Sequence, residues 1–298
     1  MQFVLLGFSD LPILQGFLFA VFFVLYIIIL IGNFLIILVT SMDSALQKPM
    51  YFFLANFSSL EICYVSVTVP RILFDIEKQD RRISLMSCAT QLCFFLVFGT
   101  TECLLLAVMS YDRYVAICNP LLYPLVMNPT KCTQLAAFSW LGGIPVQIGQ
   151  TCQIFSMHFC NSNQIEHFFC DIPPILKLAC GNTSVHELSV YVVGVVAAFP
   201  FILVLTSYSK IIATILRLPT AQGRAKAFST CSSHLLVVLL FYGSAAVTYL
   251  RPKSMHSPVT DKLISLFYTT MTPMFNPLIY SLRNKEVTAA LRKLILQK

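Results

Sequence analysis

Long apolar runs, each closed by a short polar or charged stretch, follow one another along this chain and set its expected architecture. A helix that crosses a bilayer needs about 20 mainly apolar residues. Seven stretches meet that requirement: 14–40, 50–73, 87–111, 132–153, 188–216, 228–250 and 263–282. The connections between them are short except for 154–186, and no stretch has the composition of a separate soluble domain. The pattern therefore predicts an all-α membrane protein, a single domain over residues 1–298 folded as a seven-transmembrane helix bundle. After the last run, Val287, Leu291, Leu294 and Ile295 recur among basic residues, which predicts a short amphipathic C-terminal helix over about 284–296, lying on the membrane. The first ten residues carry neither a basic n-region nor a small-residue cleavage site, so the first run is expected to act as its own insertion signal.

Composition agrees and charge adds a direction. Hydrophobic residues make up 57% of the chain and charged ones 11%, where a soluble domain carries about 25% charged. With seven spans the two termini fall on opposite sides. If the C-terminus is inside, the inner segments hold twelve bases against Asp43, Asp112 and Glu286, while the outer segments hold eight bases and eight acids. Basic residues favour the cytoplasmic side, so the N-terminus is expected outside and the C-terminus inside. The net charge of +7 is then a topology signal and not a nucleic-acid footprint; the lipid bilayer is the expected partner.

A few polar groups lie at membrane depth. Asn33 is expected to face other helices, where it can hydrogen-bond. Glu61 and Glu102 fall in neighbouring spans at similar depth, and two such carboxylates share a proton or hold a cation. Asp112 and Arg113 stand at the end of the third run, where the guanidinium either clamps a carboxylate, a carbonyl or an incoming helix, or reaches for the interface. Seven of the eleven cysteines lie in or beside spans and read as small hydrophobes. The other four, Cys88, Cys160, Cys170 and Cys180, fall on the expected oxidising face, and an even set suggests two disulfides with three pairings open. The long loop that carries three of them exceeds the usual length of a structureless connection and reads as a functional cover. Asn182-Thr183-Ser184 is a glycosylation sequon on the same face. No metal-ligand spacing and no nucleophile–base constellation appears, so catalysis is not expected. Lys262, at the outer start of the seventh span, is too shallow for a retinal Schiff base.

Five sequence words go further than these charges. They are Met109-Ser110-Tyr111-Asp112-Arg113-Tyr114-Val115-Ala116-Ile117-Cys118, Pro49-Met50-Tyr51-Phe52-Phe53-Leu54, His167-Phe168-Phe169-Cys170-Asp171, Lys226-Ala227-Phe228-Ser229-Thr230-Cys231-Ser232-Ser233-His234, and Pro273-Met274-Phe275-Asn276-Pro277-Leu278-Ile279-Tyr280. In their order along the chain they resemble the olfactory receptors, a branch of the rhodopsin-like (class A) G-protein-coupled receptors, across nearly the whole chain. The resemblance implies an odorant receptor at the plasma membrane of olfactory sensory cilia, coupled to a stimulatory, olfactory-type heterotrimeric G protein that raises cyclic AMP. It implies the pairings Cys88–Cys170 and Cys160–Cys180, and it places an internal sodium-type site at Glu61 and Glu102, the one bound ion in a chain otherwise expected to need no cofactor. Asp112, Arg113, Tyr114, Tyr208, Lys226, His234, Asn276, Pro277 and Tyr280 would form the coupling machinery.

Transferred family positions give a greasy pocket with a few hydroxyls, suited to a small neutral volatile. Its walls would be Phe95, Leu96, Gly99, Thr100, Cys103, Val192, Val196, Ala245, Tyr249 and Thr269, above Tyr242. A non-nasal receptor for a small metabolite would use the same parts. A transporter of hydrophobic molecules is the reading from another class, weakened by the lack of further ion-pathway charges and of inverted similarity between the halves.

Overall fold

The computed structural model describes residues 2–7, 12–78, 80–160, 162–180, 184–249 and 258–296. It opens with a strand, β1 (Gln2–Leu5), and a 3-10 turn at Pro12–Leu14 that leads into α1 (Gln15–Met42). Asp43 caps the next 3-10 turn by accepting from the Ala45 amide, and α2 (Pro49–Lys78) starts on a proline whose missing N–H costs nothing there. A short strand, β2 (Arg82–Ser84), runs directly into α3 (Leu85–Cys118), where the Ser84 hydroxyl accepts from the Ser87 amide as N-cap. One turn, α4 (Tyr123–Val126), precedes α5 (Pro129–Leu141), capped by Asn128, and α6 (Ile144–Phe155). The long loop then contributes β3 (Gln164–Ile165) and α7 (Ile172–Leu176) before α8 (Ser184–Leu216) and α9 (Ala221–Tyr249). The chain ends with α10 (Pro258–Leu266), a π-helical turn at Phe267–Met271, α11 (Thr272–Arg283) and α12 (Lys285–Leu296).

Among the described residues four helices are each long and apolar enough to cross a bilayer: α1, α2, α3 and the Leu188–Leu216 part of α8. The two straight parts of α9, which meet at 41° near Ser229, make a fifth if taken together. The fourth predicted span, 132–153, is not one helix. It breaks into 13- and 12-residue pieces at Gly142–Gly143, because Pro145 has no N–H to carry the ladder across the break and neither glycine resists it. Gly143 has a second reason to be glycine: a Cβ there would sit 2.6 Å from the Thr100 side chain of α3. The seventh predicted span is irregular as well. Its π-helical turn falls just ahead of Pro273, whose missing N–H frees a carbonyl one turn back. The third helix runs through Cys118, well past its predicted end at 111, so the whole Asp112–Arg113 stretch is helical.

The outer surfaces of α1 and α8 carry large bare apolar side chains, among them Phe34 at 58% and Val195 at 73% exposure. A water-facing surface does not carry so many. Inside, the largest buried cluster joins Leu54, Phe57, Leu106, Met109, Ile211 and Val238 at the end of the bundle where α12 packs, here the tail end. A second cluster, of Phe3, Leu5, Ile83, Ile165 and Ile172, lies at the opposite, disulfide end. There β1 is the middle strand of a three-stranded sheet, antiparallel to β2 and parallel to β3. The all-helical expectation missed this sheet, whose strands are only two to four residues long.

Candidate functional site

At the disulfide end the long loop is fastened across the helices. Cys88 of α3 is bonded to Cys170, and Cys160 to Cys180. The Gln91 side chain of α3 completes the attachment: its oxygen accepts from the Cys170 amide and its nitrogen donates to the Val67 carbonyl of α2. From this anchor Phe168 and Phe169 turn inward and are buried. On either side of them the loop grips α10 and the π-helical turn. The His167 Nε2 pairs with the Ser265 hydroxyl at 3.0 Å, and the Tyr268 hydroxyl donates to Asp171 at 3.1 Å. Burial pushes the His167 imidazole down to about 3, with Lys262 adding to the effect, and lifts the Asp171 carboxyl to about 6 against hydrogen bonds from Ile172 and Tyr268. Asn182, the sequon residue, lies outside the described residues.

Beneath this cover the expected pocket residues divide. Phe95 is buried among Tyr64, Phe169 and Tyr268, with ring centroids 5.3, 4.9 and 6.1 Å away. Leu96, Gly99, Thr100 and Cys103 recur at three- and four-residue steps and so share one face of α3. Tyr242 on α9 packs on Phe201 and Phe241. Ala245 is half-buried, and Thr269, in the π-helical turn, is fully buried with its hydroxyl donating to the Ser265 carbonyl. Val192 and Val196 are a correction. At 55% and 63% exposure they stand on the open side of α8 and wall no enclosed space. That helix is apolar on every side, so its sequence does not say which face turns inward. The Tyr249 side chain lies outside the described residues. Sequence reasoning passed over Gln147 of α6, which is buried and donates to the Thr100 hydroxyl at 2.8 Å. The signal was there: Gln147, Gln150, Thr151 and Gln153 interrupt a mainly apolar run.

Midway down the bundle, polar groups of α2, α3 and α11 meet. Asn276 of α11 donates to one carboxylate oxygen of the fully buried Glu61 on α2. Glu102 of α3, also buried, lies within electrostatic reach of Glu61. The other Glu61 oxygen, the Asn276 and Asn33 amide oxygens and the Thr270 hydroxyl have no hydrogen-bond partner. Buried oxygens left over in this way suit a small hard cation or shared protons. No group of three or more His, Cys, Asp and Glu side chains is placed to hold a metal among the described residues.

At the tail end Asp112 is buried and accepts from the Tyr123 hydroxyl of α4 at 2.8 Å. Arg113 beside it is half-buried, and Tyr114 lies under the Lys210 ammonium, 5.4 Å from its ring centre. The Tyr208 hydroxyl of α8 bonds His234 of α9 at 2.7 Å, with the two rings stacked. Pro277 packs on Gly32 of α1, where a Cβ would meet it at 3.3 Å. The side chains of Lys226 and Tyr280 lie outside the described residues. Two ion pairs, Lys48–Glu286 and Lys293–Asp43, hold α12 beneath the bundle, and Tyr51 reinforces the first of them. A cavity of about 360 Å³, lined by Ile211, Ile215, Phe228 and Leu235, opens between α8 and α9 next to the bend in α9.

Comparison with known proteins places the whole chain. A family model described as olfactory receptor matches residues 22–298. Human olfactory receptor 10AG1 is 60% identical over 296 residues, which is 99% of this chain and 98% of that protein. Human olfactory receptors 10A7 and 10C1 are 52% and 54% identical, covering 94% and 95% of their own lengths and 100% and 99% of this one.

Proposed function

The chain belongs to the olfactory receptor family, and from that premise we propose how this odorant receptor is laid out and how it works. It is one seven-span domain of the plasma membrane, in which α5 with α6, and α10 through α11, each serve as a broken span beside α1, α2, α3, α8 and α9. The N-terminus and the disulfide end face outward and α12 lies on the cytoplasmic leaflet, in olfactory sensory cilia. The ligand is a small, mostly apolar volatile held below the Phe168–Phe169 cover, against Phe95, Leu96, Gly99, Thr100 and Cys103 on α3 and Tyr242 on α9.

The observation that carries the mechanism is that α9 touches both ends of the path. Tyr242 faces α3 beneath the cover, and His234, on the same helix, bonds Tyr208 of α8 at the tail end. A ligand pressing on Tyr242 favours an outward position of α9. That movement breaks the Tyr208–His234 contact and uncovers Arg113 for a stimulatory, olfactory-type G protein. The ligand biases this equilibrium only by its difference in affinity for the two positions. A sodium ion would be held by Glu61 and Glu102 with help from Asn33 and Asn276, whose unpartnered oxygens support the fit, and would supply the charge that balances the carboxylates. The test is ligand-evoked cyclic AMP in cells, comparing the native receptor with Arg113→Ala at matched surface expression. The variant is expected to lose most of the response, and an unchanged response removes Arg113 from coupling.

A further inference from the structure

The hydrogen bonds around Thr100 leave one atom unused, and that atom specifies a ligand chemistry. The Thr100 hydroxyl has a single hydrogen, which it donates to the Leu96 carbonyl at 2.9 Å. Toward Gln147 the same oxygen can therefore only accept. The Gln147 amide must present its nitrogen, as it does at 2.8 Å, and it cannot be turned over without losing that bond. Its carbonyl oxygen is left buried and without a partner, while the residue as a whole is 4% exposed. Buried acceptors in folded proteins nearly always have a donor.

The residue that Gln147 bonds, Thr100, belongs to the expected ligand face. Thr100 is only half-buried, and a side chain built on Gly99 would meet no heavy atom within 4 Å. The neighbouring groups on the α3 face are Leu96 and Cys103, neither of which competes as a strong donor.

We propose that Gln147 is the polar anchor of the ligand site, and that its amide oxygen accepts a hydrogen bond from the hydroxyl of an otherwise apolar ligand. The inference rests on the odorant reading above and narrows it to small alcohols. A ketone, aldehyde or ether of the same shape brings no donor and leaves the oxygen unpaired, and sites with a committed polar group discriminate most strongly against ligands that cannot answer it. A positive amine would be the wrong donor, because the face offers no counter-charge.

The test screens a broad panel of neutral volatiles as alcohol and methyl ether pairs, octanol, citronellol and benzyl alcohol among them. The readout is cyclic AMP in cells expressing the full chain, with surface level measured in parallel. In the native receptor each active alcohol is expected to be about tenfold more potent than its ether, the worth of one good hydrogen bond. Gln147→Leu keeps the volume, removes the acceptor and is expected to bring the ratio close to one. Thr100→Val frees the amide to turn over, so the ratio falls while ethers gain potency. Equal potency of alcohols and ethers at the native receptor overturns the inference by itself, even if the leucine variant fails to reach the surface. So does a preference that survives Gln147→Leu at normal surface level. Silence across the whole panel overturns both this inference and the reading of small volatiles as the ligand.

Discussion

Gly143 and Thr100 set how closely α6 approaches α3. An added Cβ at Gly143 would lie 2.6 Å from the Thr100 Cγ2, so Gly143→Ala is expected to force the helices apart. Overpacking of this kind costs about 1–3 kcal/mol, read as a lower melting temperature of the purified receptor. Gly149→Ala, where a Cβ meets nothing within 4 Å, is the matched control and should leave stability unchanged. His167 and Asp171 give the cover a pH dependence with opposed signs. The His167 value falls from 6.5 to about 3 on folding, so its contribution is full above 6.5 and is lost as pH drops toward 3. The Asp171 value rises from 3.8 to about 6, so its contribution is present below 3.8 and lost as pH climbs through 6. The His167 displacement is the larger, so external acid should loosen the cover overall. His167→Gln should flatten that acid limb in a stability-versus-pH series, and an unchanged limb would remove His167 as its source. Both groups belong to a sequence word that marks the family, yet nothing in that word shows them buried. Burial beneath a loop cannot be seen until the loop is folded.

At the scale of single elements the two disulfides differ in what they hold. Cys88–Cys170 joins residues 82 apart and ties the loop to α3, whereas Cys160–Cys180 closes a 20-residue stretch on itself. Chain-entropy arguments favour the longer closure, and only the first sets Phe169 against Phe95. Cys88→Ser is therefore expected to abolish the ligand response along with most surface expression, and Cys160→Ser to lower expression while sparing part of the response. Continuous apolar runs made the long helices legible, since α1, α2 and α3 need little beyond length and hydropathy. The breaks were harder. Gly142-Gly143-Ile144-Pro145 carried the signal for the α5–α6 interruption, but apolar residues on both sides hid it. The π-helical turn ahead of Pro273 depends on how a freed carbonyl is taken up, which composition does not record. The inward face of α8 was illegible for the opposite reason: nothing in its apolar surface distinguishes one side from another, so Val192 and Val196 were assigned by analogy and stand exposed.

For the whole molecule, the spread of bases and the broken spans lead to a topology that can be mapped. A tag after Lys298 should be reached by antibody only in permeabilised cells, and one before Met1 in intact cells. The reverse pattern would reject the proposed orientation. At the tail end Asp112, Arg113 and His234 belong to sequence words whose order is informative without geometry, whereas the Tyr208–His234 contact needed the fold. The ligand end was less legible, since Gln147 matters through its relation to Thr100 on another helix.

The sheet at the disulfide end has a consequence of its own. Its middle strand, β1, meets both neighbours through main-chain amides and carbonyls, which every residue except proline can provide. Only Phe3 and Leu5 of that strand are sunk beneath it. The cover at the disulfide end is thus sewn with a thread indifferent to most side chains. Its outward-facing letters can be rewritten freely, so this end of the molecule tolerates a change of surface without a change of architecture.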